Sequence, residues 1–281
     1  MADFFEDDDV AEVAQSNAEQ LRGLEDREAA KILRAYKRVR QDLRDRLDIV
    51  DKGTFTEQKL RATLYQVQLG IEEMSKNLLE DMGNAAQSAA ELGIDDLLKE
   101  LKRWNKKFTG AFIPINIDAV RAATDTRNFL FNRYEVSLQT YSQTVRARIA
   151  NGLTESVIAQ NTMSEALGMI GKTFLGEEWK LQQIVRTELH NVYNVGKIDG
   201  MRELWGEGKG DIPDLMKTLF HPMDNRTGRD SIKLNANNPI VPIDEPFVET
   251  STGKKLTYMA PPNRPNDRAI LIPYRDGWKS R

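Results

Sequence analysis

Proline is confined to one end of this chain. Nine of its ten prolines lie beyond Trp205, and Pro114 alone interrupts what precedes. A proline inside a helix removes a backbone donor and clashes with the preceding turn, at a cost of about 3 kcal/mol. Residues 1–205 are therefore open to long helices, and the remainder is not.

Apolar spacing fills the permitted region with helices. Ile32, Tyr36, Val39, Leu43, Leu47 and Val50 recur every three or four residues, the period of one helical face, and Gly53 offers a stop. Thr54 or Thr56 can cap a second helix carrying Leu60, Leu64, Val67, Ile71, Met74, Leu78 and Met82. Gly83 and Gly93 punctuate the next stretch, and Leu97, Leu101, Trp104 and Phe108 resume the pattern. After Thr109 to Asn116, Asp118 can cap a helix with the line Phe131, Tyr134, Leu138, Tyr141, Val145 and Ile149, which Asn151-Gly152 is expected to end. A shorter helix is expected from Thr154 to Ile170, stopped by Gly171. A last one is expected from about Glu177 to Trp205, with Leu181, Val185, Leu189, Val192 and Gly196 on its buried line. Gly196 on that line points to a close helix approach, because it has no side chain to hold a neighbour away.

Beyond Trp205 the glycines 206, 208 and 210 mark a linker, and short β-like runs follow at Lys217 to His221, Ile240 to Ile243, Lys255 to Met259 and Ala269 to Pro273. The fold class read from this pattern is mainly α: long amphipathic helices, bundled or extended, followed by a small α+β C-terminal domain. Residues 1–30 hold ten Asp and Glu against two Arg and are read as an acidic arm, 31–150 as a helical region, and 151–281 as helices to about 205 and then the small β-containing part. Phe4 and Phe5 in the acidic arm suit a docking peptide that orders on binding; a solvated terminus is the plain alternative.

Composition narrows the function classes. The chain has no cysteine, which excludes disulfides, thiolate zinc sites and cysteine nucleophiles. Its 40 basic and 43 acidic side chains nearly cancel, so no global charge drives it to nucleic acid. No run approaches the roughly 20 apolar residues of a membrane span, and Met1 to Val10 has neither the positive start nor the apolar run of a secretory signal, so a cytosolic or otherwise delivered protein is expected. Neither Gly-x-Gly-x-x-Gly nor Gly-x-x-x-x-Gly-Lys-Ser/Thr occurs.

Chemistry-bearing residues are few. Of two histidines, His190 lies near no nucleophile motif, while His221 and Asp224 offer one imidazole and one carboxylate, too few ligands to specify a metal. No catalytic, metal or cofactor site is assigned on these grounds. Lys102, Arg103, Lys106 and Lys107 surround Trp104, a stripe for phosphate contact with a stacking platform or, alternatively, a solvated helix face over a core tryptophan. Tyr274, Arg275 and Trp278 interleave aromatics with charge near the end and, with Phe4 and Phe5, are the candidate partner anchors. Arg186-Thr187-Glu188 sits mid-helix, and Asp224-Asn225-Arg226-Thr227-Gly228 reads as a tight turn. Glu188 receiving Arg226 in a bidentate pair would tie the small domain to the last helix.

In order and spacing these pieces resemble the phage head morphogenesis, or Mu F-like minor head, proteins, over roughly Arg146 to Tyr274. The resemblance runs from Ile149-Ala150-Asn151-Gly152-Leu153-Thr154 through the Arg186-Thr187-Glu188 helix with Gly196 and Gly200. It continues through the Asp224-Asn225-Arg226-Thr227 turn, Pro246-Phe247 and Pro261-Pro262 to Asn266-Asp267-Arg268-Ala269. Two family features are replaced: Ser231 and Ile232 stand where members commonly have a histidine, and Asn266-Asp267-Arg268-Ala269 where they often end in Asn-Cys-Arg-Cys. Both losses remove metal ligands, so packing and hydrogen bonds are expected to hold the domain. The resemblance makes 151–281 the head morphogenesis domain and implies a minor head protein of a tailed bacteriophage virion, at the portal vertex. Its expected partners are the portal protein, other head proteins and packaged DNA, with no membrane, an oligomeric state in the particle, and the host cytoplasm as its place during assembly. It implies a structural protein, not an enzyme, acting in head assembly or in genome packaging or ejection. The rival reading is a nucleic-acid-binding or effector-type enzyme module carried in the virion, whose acid and base would have to come from His221, Asp224 and Glu188.

Overall fold

A computed structural model of the chain describes residues 8–48, 55–109, 118–205, 215–222, 239–250, 255–262, 264, 267–275 and 279–280. Four long helices dominate: α1 (Asp8–Asp48), α2 (Glu57–Lys107), α3 (Ala119–Ile158) and α4 (Met163–Trp205). A small strand-containing region follows, so the chain is mainly α with a β-containing C-terminal part. Among the described residues no helix is long and apolar enough to cross a membrane.

The helical boundaries differ from those expected. Residues 8–30 belong to α1, with Val10, Ala14, Ala18 and Leu21 buried, so from Asp8 onward the acidic stretch is a helix with one apolar stripe and no free arm. Asn151-Gly152 does not end α3, and neither Gly171 nor Gly176 interrupts α4. An interior glycine costs about 1 kcal/mol relative to alanine, less than the packing of Leu153, Phe174 and Leu181 on the same helices returns, and all three are buried. The break between α3 and α4 falls at Gln160, the one described non-glycine residue with positive φ (53°). Thr162 then caps α4 reciprocally with Glu165: the Thr162 N–H donates to Glu165 Oε2 (2.7 Å) and the Glu165 N–H to Thr162 Oγ1 (3.3 Å). The Thr162 N–H, and after it the Thr162 hydroxyl donating to the same Oε2 at 2.8 Å, hold the Glu165 carboxyl below its ordinary range.

The chain divides into two compact units. One comprises Arg27–Asn84 and Phe131–Val185. Its core is the helical lines read from sequence: Ile32, Tyr36, Val39 and Leu43 of α1, Val67 to Met82 of α2, and Tyr134 to Val145 of α3. Two tyrosines reach α4 through it. The Tyr36 hydroxyl donates to the Phe174 carbonyl (3.1 Å) and the Tyr141 hydroxyl to the Glu177 carbonyl (3.2 Å).

The other unit comprises Met1–Asp26, Ala85–Leu130 and Arg186–Arg281. Here α2 and α4 meet through small residues. Ala85, Ala86, Ala89 and Ala90 are buried, and a Cβ placed on Gly196 would lie 3.1 Å from the Ala90 carbonyl oxygen. The three-stranded sheet is antiparallel in the order β3 (Val241–Pro242), β2 (Leu215–Phe220), β6 (Ile270–Arg275), with Leu215 opposite Arg275 and Phe220 opposite Ile270. Two small ribbons complete it: β4 (Phe247–Glu249) with β5 (Leu256–Tyr258), and β1 (Phe108–Thr109) with β7 (Lys279–Ser280). Leu215, Leu219 and Ile270 to Ile272 share one core with Val10 and Leu21 of α1, Leu97 and Trp104 of α2, and Tyr193 and Met201 of α4.

Candidate functional site

A polar cleft of about 330 Å³ opens in this second unit. From α1 come Arg22, Glu25 and Asp26, from α4 Arg186, Thr187 and His190, and from the segment before β6 Asp267 and Arg268. Helical spacing arranges the first two sets: 25 and 26 lie three and four residues after 22, and 187 and 186 three and four before 190, so each set gathers on one side of its helix. Arg186 pairs with Asp26 at 2.9 Å, and Arg22 approaches the same carboxylate at 3.9 Å.

His190 forms the floor. Its Nδ1 lies 2.8 Å from Glu25 Oε1 and its Nε2 2.7 Å from the Ala269 carbonyl oxygen. Both neighbours are acceptors, so the ring satisfies both only as an imidazolium donating from each nitrogen. Burial opposes that charge. The Glu25 hydrogen bond and charge, the Ala269 carbonyl and the charge of Asp267 outweigh it and raise the His190 pKa. A ring held in this way has no lone pair to offer a substrate, so His190 is placed to join segments and not to act as a general base.

One turn further along α4, Asn194 completes the joint. Its Oδ1 accepts the Leu271 N–H (2.7 Å), and its Nδ2 donates to the His190 carbonyl (3.0 Å) and towards that of Ala269 (3.4 Å). At the next turn Lys197, fully buried, reaches Glu100 Oε1 of α2 at 2.6 Å, and Asn17 Nδ2 of α1 donates to the same oxygen at 2.7 Å. Burial pushes the Glu100 carboxyl up, and the Lys197 charge and hydrogen bond only partly offset it. The Tyr193 hydroxyl donates to Asp96 Oδ2 (2.9 Å). One side of α4 thus engages α1, α2 and β6 in turn through polar groups inside the core.

A second group lies in the β-containing part. His221 is buried, and its Nε2 has no hydrogen-bond partner among the described residues. Burial lowers its pKa, with Asp267, Arg264 and Glu249 acting on it by charge. Glu249 is buried and met by Arg264 at 3.3 Å. Lys217 is buried on β2; its ammonium donates to the carbonyls of Ile243 (2.8 Å) and Met259 (3.0 Å). Burial drives its pKa down to about 8. Among the described residues no group of three or more histidines and carboxylates is arranged to hold a metal ion.

The residues singled out from sequence fare unequally. Arg186 and Thr187 line the cleft together with Asp267 and Arg268, which lie at the other end of the resembling region. Glu188 is buried, while Asp224, Arg226 and Thr227 lie outside the described residues, as do Phe4, Phe5 and Trp278. Polar contacts that do join α4 to the β-containing part are those of His190 and Asn194 and the pair of Arg202 with Asp244 at 3.1 Å. Tyr274 is a core residue on β6, 3% exposed, and its ring has no surface to offer a partner; Arg275 beside it is half-buried. In the basic stripe Trp104 is fully buried and cannot serve as a stacking platform. Arg103 and Lys107 pair with Asp9 at 3.0 and 2.8 Å, and Lys102 and Lys106 are exposed. Sequence reading missed Glu25, Asn194, Lys197 and Glu100. The available signal was polar residues standing on buried helical lines, as Asn194 and Lys197 do beside Tyr193 and Gly196.

No protein-family model, no curated protein and no solved structure matches this chain.

Proposed function

We propose that the chain is a minor head protein of a tailed bacteriophage, associated with the portal vertex and acting in head assembly or in genome packaging or ejection. The observation that carries the reading is the joint at His190 and Asn194. It commits the most chemically versatile side chain of the cleft to holding α1, α4 and β6 together, as suits a part that bears load between neighbours. The order of segments from Arg146 to Tyr274, which resembles the Mu F-like proteins, supplies the kind of particle. In this reading the portal and other head proteins are the partners, and the charged cleft and helix faces are the docking surfaces.

Imaging of intact particles tests it. The expected result is density for this chain beside the portal ring, at a copy number far below that of the shell subunit. Particles without the chain, or with it spread evenly over the shell, overturn the reading. Deleting residues 1–10 is expected to lower incorporation, and normal copy number in the truncated particle counts against a docking role for that segment.

The buried Nε2 of His221, which has no hydrogen-bond partner among the described residues, favours a second reading, an enzyme or nucleic-acid-binding module carried in the particle. His221→Ala separates the two. Assembly and infectivity survive it under the structural reading, whereas under the second the particles assemble but lose an activity measurable with purified protein.

A further inference from the structure

Two pairs of glycines inside the helices of this protein stand in contrast. Gly93 and Gly196 are required by another helix, whose backbone a Cβ would meet. Gly168 and Gly171 on α4 have nothing within 4 Å of where a Cβ would stand. They share a face with Leu175, and Trp179 continues that face one turn on; both large side chains are 58% exposed. Beside them, within the unit Arg27–Asn84 and Phe131–Val185, runs a groove of about 170 Å³ between Leu167, Ile170 and Leu175 of α4 and Arg40 and Arg44 of α1. Apolar area left open beside a furrow of this kind marks a place where another surface sits.

Charge indicates the occupant. Arg40 is held by Glu178 at 3.0 Å, but Arg44 has no ion pair among the described residues, and Lys172 is exposed on the same stretch of α4. The groove is therefore apolar on its α4 wall and basic on its α1 wall. The chain contains a segment of the opposite character: Asp3-Phe4-Phe5-Glu6-Asp7 carries three carboxylates around two phenyl rings and no base. It immediately precedes α1, whose Asp9 is fixed by Arg103 and Lys107.

We propose that this groove receives the segment Asp3 to Asp7 of a second copy of the chain, a phenyl ring lying against Leu167, Ile170 and Leu175 and the flanking carboxylates facing Arg40 and Arg44. Aromatic anchors in an apolar recess with a charged rim are the usual carriers of affinity in such contacts. The two surfaces are different, so two copies can exchange segments and close as a pair, or pass them from copy to copy into a ring or an open filament. The inference does not depend on the phage reading.

A fluorescent peptide of residues 1–10 and the protein lacking residues 2–7 provide the test. The truncation leaves every buried residue from Val10 onward in place. The expected result is that the full chain self-associates in sedimentation runs, the truncated chain stays monomeric, and the peptide binds the truncated chain and dissociates assemblies of the full one. Replacing both Phe4 and Phe5 by alanine in the peptide, or introducing Leu175→Asp in the protein, is expected to weaken binding about tenfold or more. Arg44→Glu should weaken it too and regain affinity for a peptide carrying Glu6→Lys and Asp7→Lys. Far-UV circular dichroism shows whether each variant keeps its helices. Association of the truncated chain equal to that of the full one overturns the proposal. So does peptide binding indifferent to Arg44→Glu and Leu175→Asp, or a full chain that stays monomeric because its own segment blocks the peptide.

Discussion

Gly93 of α2 lies beneath the backbone carbonyl of Tyr193 on α4, so close that a Cβ on Gly93 would stand 2.3 Å from that oxygen. The contact is backbone against backbone and cannot be relieved by turning a side chain. It fixes the spacing at which Tyr193 reaches Asp96 and Lys197 reaches Glu100.

Gly93→Ala is therefore expected to destabilise the protein by about 1–3 kcal/mol, the range for overpacking a filled interior. Gly23→Ala on α1, where nothing lies within 4 Å, is expected to stabilise it by about 0.5–1 kcal/mol through helix propensity and the unfolded chain. Denaturant unfolding of both variants checks the contrast, and equal shifts would refute the close approach.

The His190 joint predicts a pH dependence. Its folded pKa is raised above the ordinary 6.5, so the folded state keeps a proton that the unfolded chain releases. The stability it contributes is complete below about pH 6.5 and is lost as pH climbs through the higher folded value. In His190→Gln this component should vanish, leaving a flatter difference curve above pH 6.5. An imidazole resonance titrating at or below the ordinary value would contradict it.

Lys217 predicts the opposite slope. Its pKa falls from 10.5 to about 8 on folding, so between those values the unfolded chain holds the proton that the folded one has lost. Stability from this group rises over that window. Comparing unfolding of the wild type and Lys217→Met from pH 7 to 10.5 isolates it, and parallel curves would refute the assignment.

Breaking the buried pair of Lys197 and Glu100 from one side should be severe. Lys197→Met strands a carboxylate in the core, and loss of one partner of such a pair typically costs about 3–5 kcal/mol. Glu100→Gln in the same chain removes the stranded charge and is expected to recover a large part of that loss. A double variant as unstable as the single would show that the charge is not what matters.

Local pattern made most of the helical core legible. The lines Ile32 to Leu43, Val67 to Met82 and Tyr134 to Ile149 are buried as their spacing implies, because a 3.6-residue period needs no knowledge of partners. Boundaries were less legible. Gly152 and Gly171 look like stops but lie inside helices held by tertiary packing, while Gln160, an ordinary helix former, carries the break. The strands Leu215–Phe220 and Ile270–Arg275 lie close to where apolar runs suggested, whereas Phe247–Glu249 is too short to show a period.

The site was half legible. Arg186-Thr187 stands out as a mid-helix motif and Asp267-Arg268 only as part of the resembling order of segments, and the four line one cleft. The role of His190 did not stand out, because its partners lie 165 and 79 residues away. Nothing in the neighbourhood of a histidine announces a carbonyl contributed by a distant segment.

That distance has a consequence for how the molecule comes into being. During synthesis α1 and α4 leave the ribosome with His190 and Asn194 still lacking Ala269 and Leu271, and with Val10 and Leu21 still lacking the core they share with Ile270 to Ile272. Contacts of such long sequence separation close late. A nascent chain halted before Ala269 would thus display unmet polar groups and a bare apolar stripe, the marks by which chaperones and proteases tell an unfinished product from a finished one.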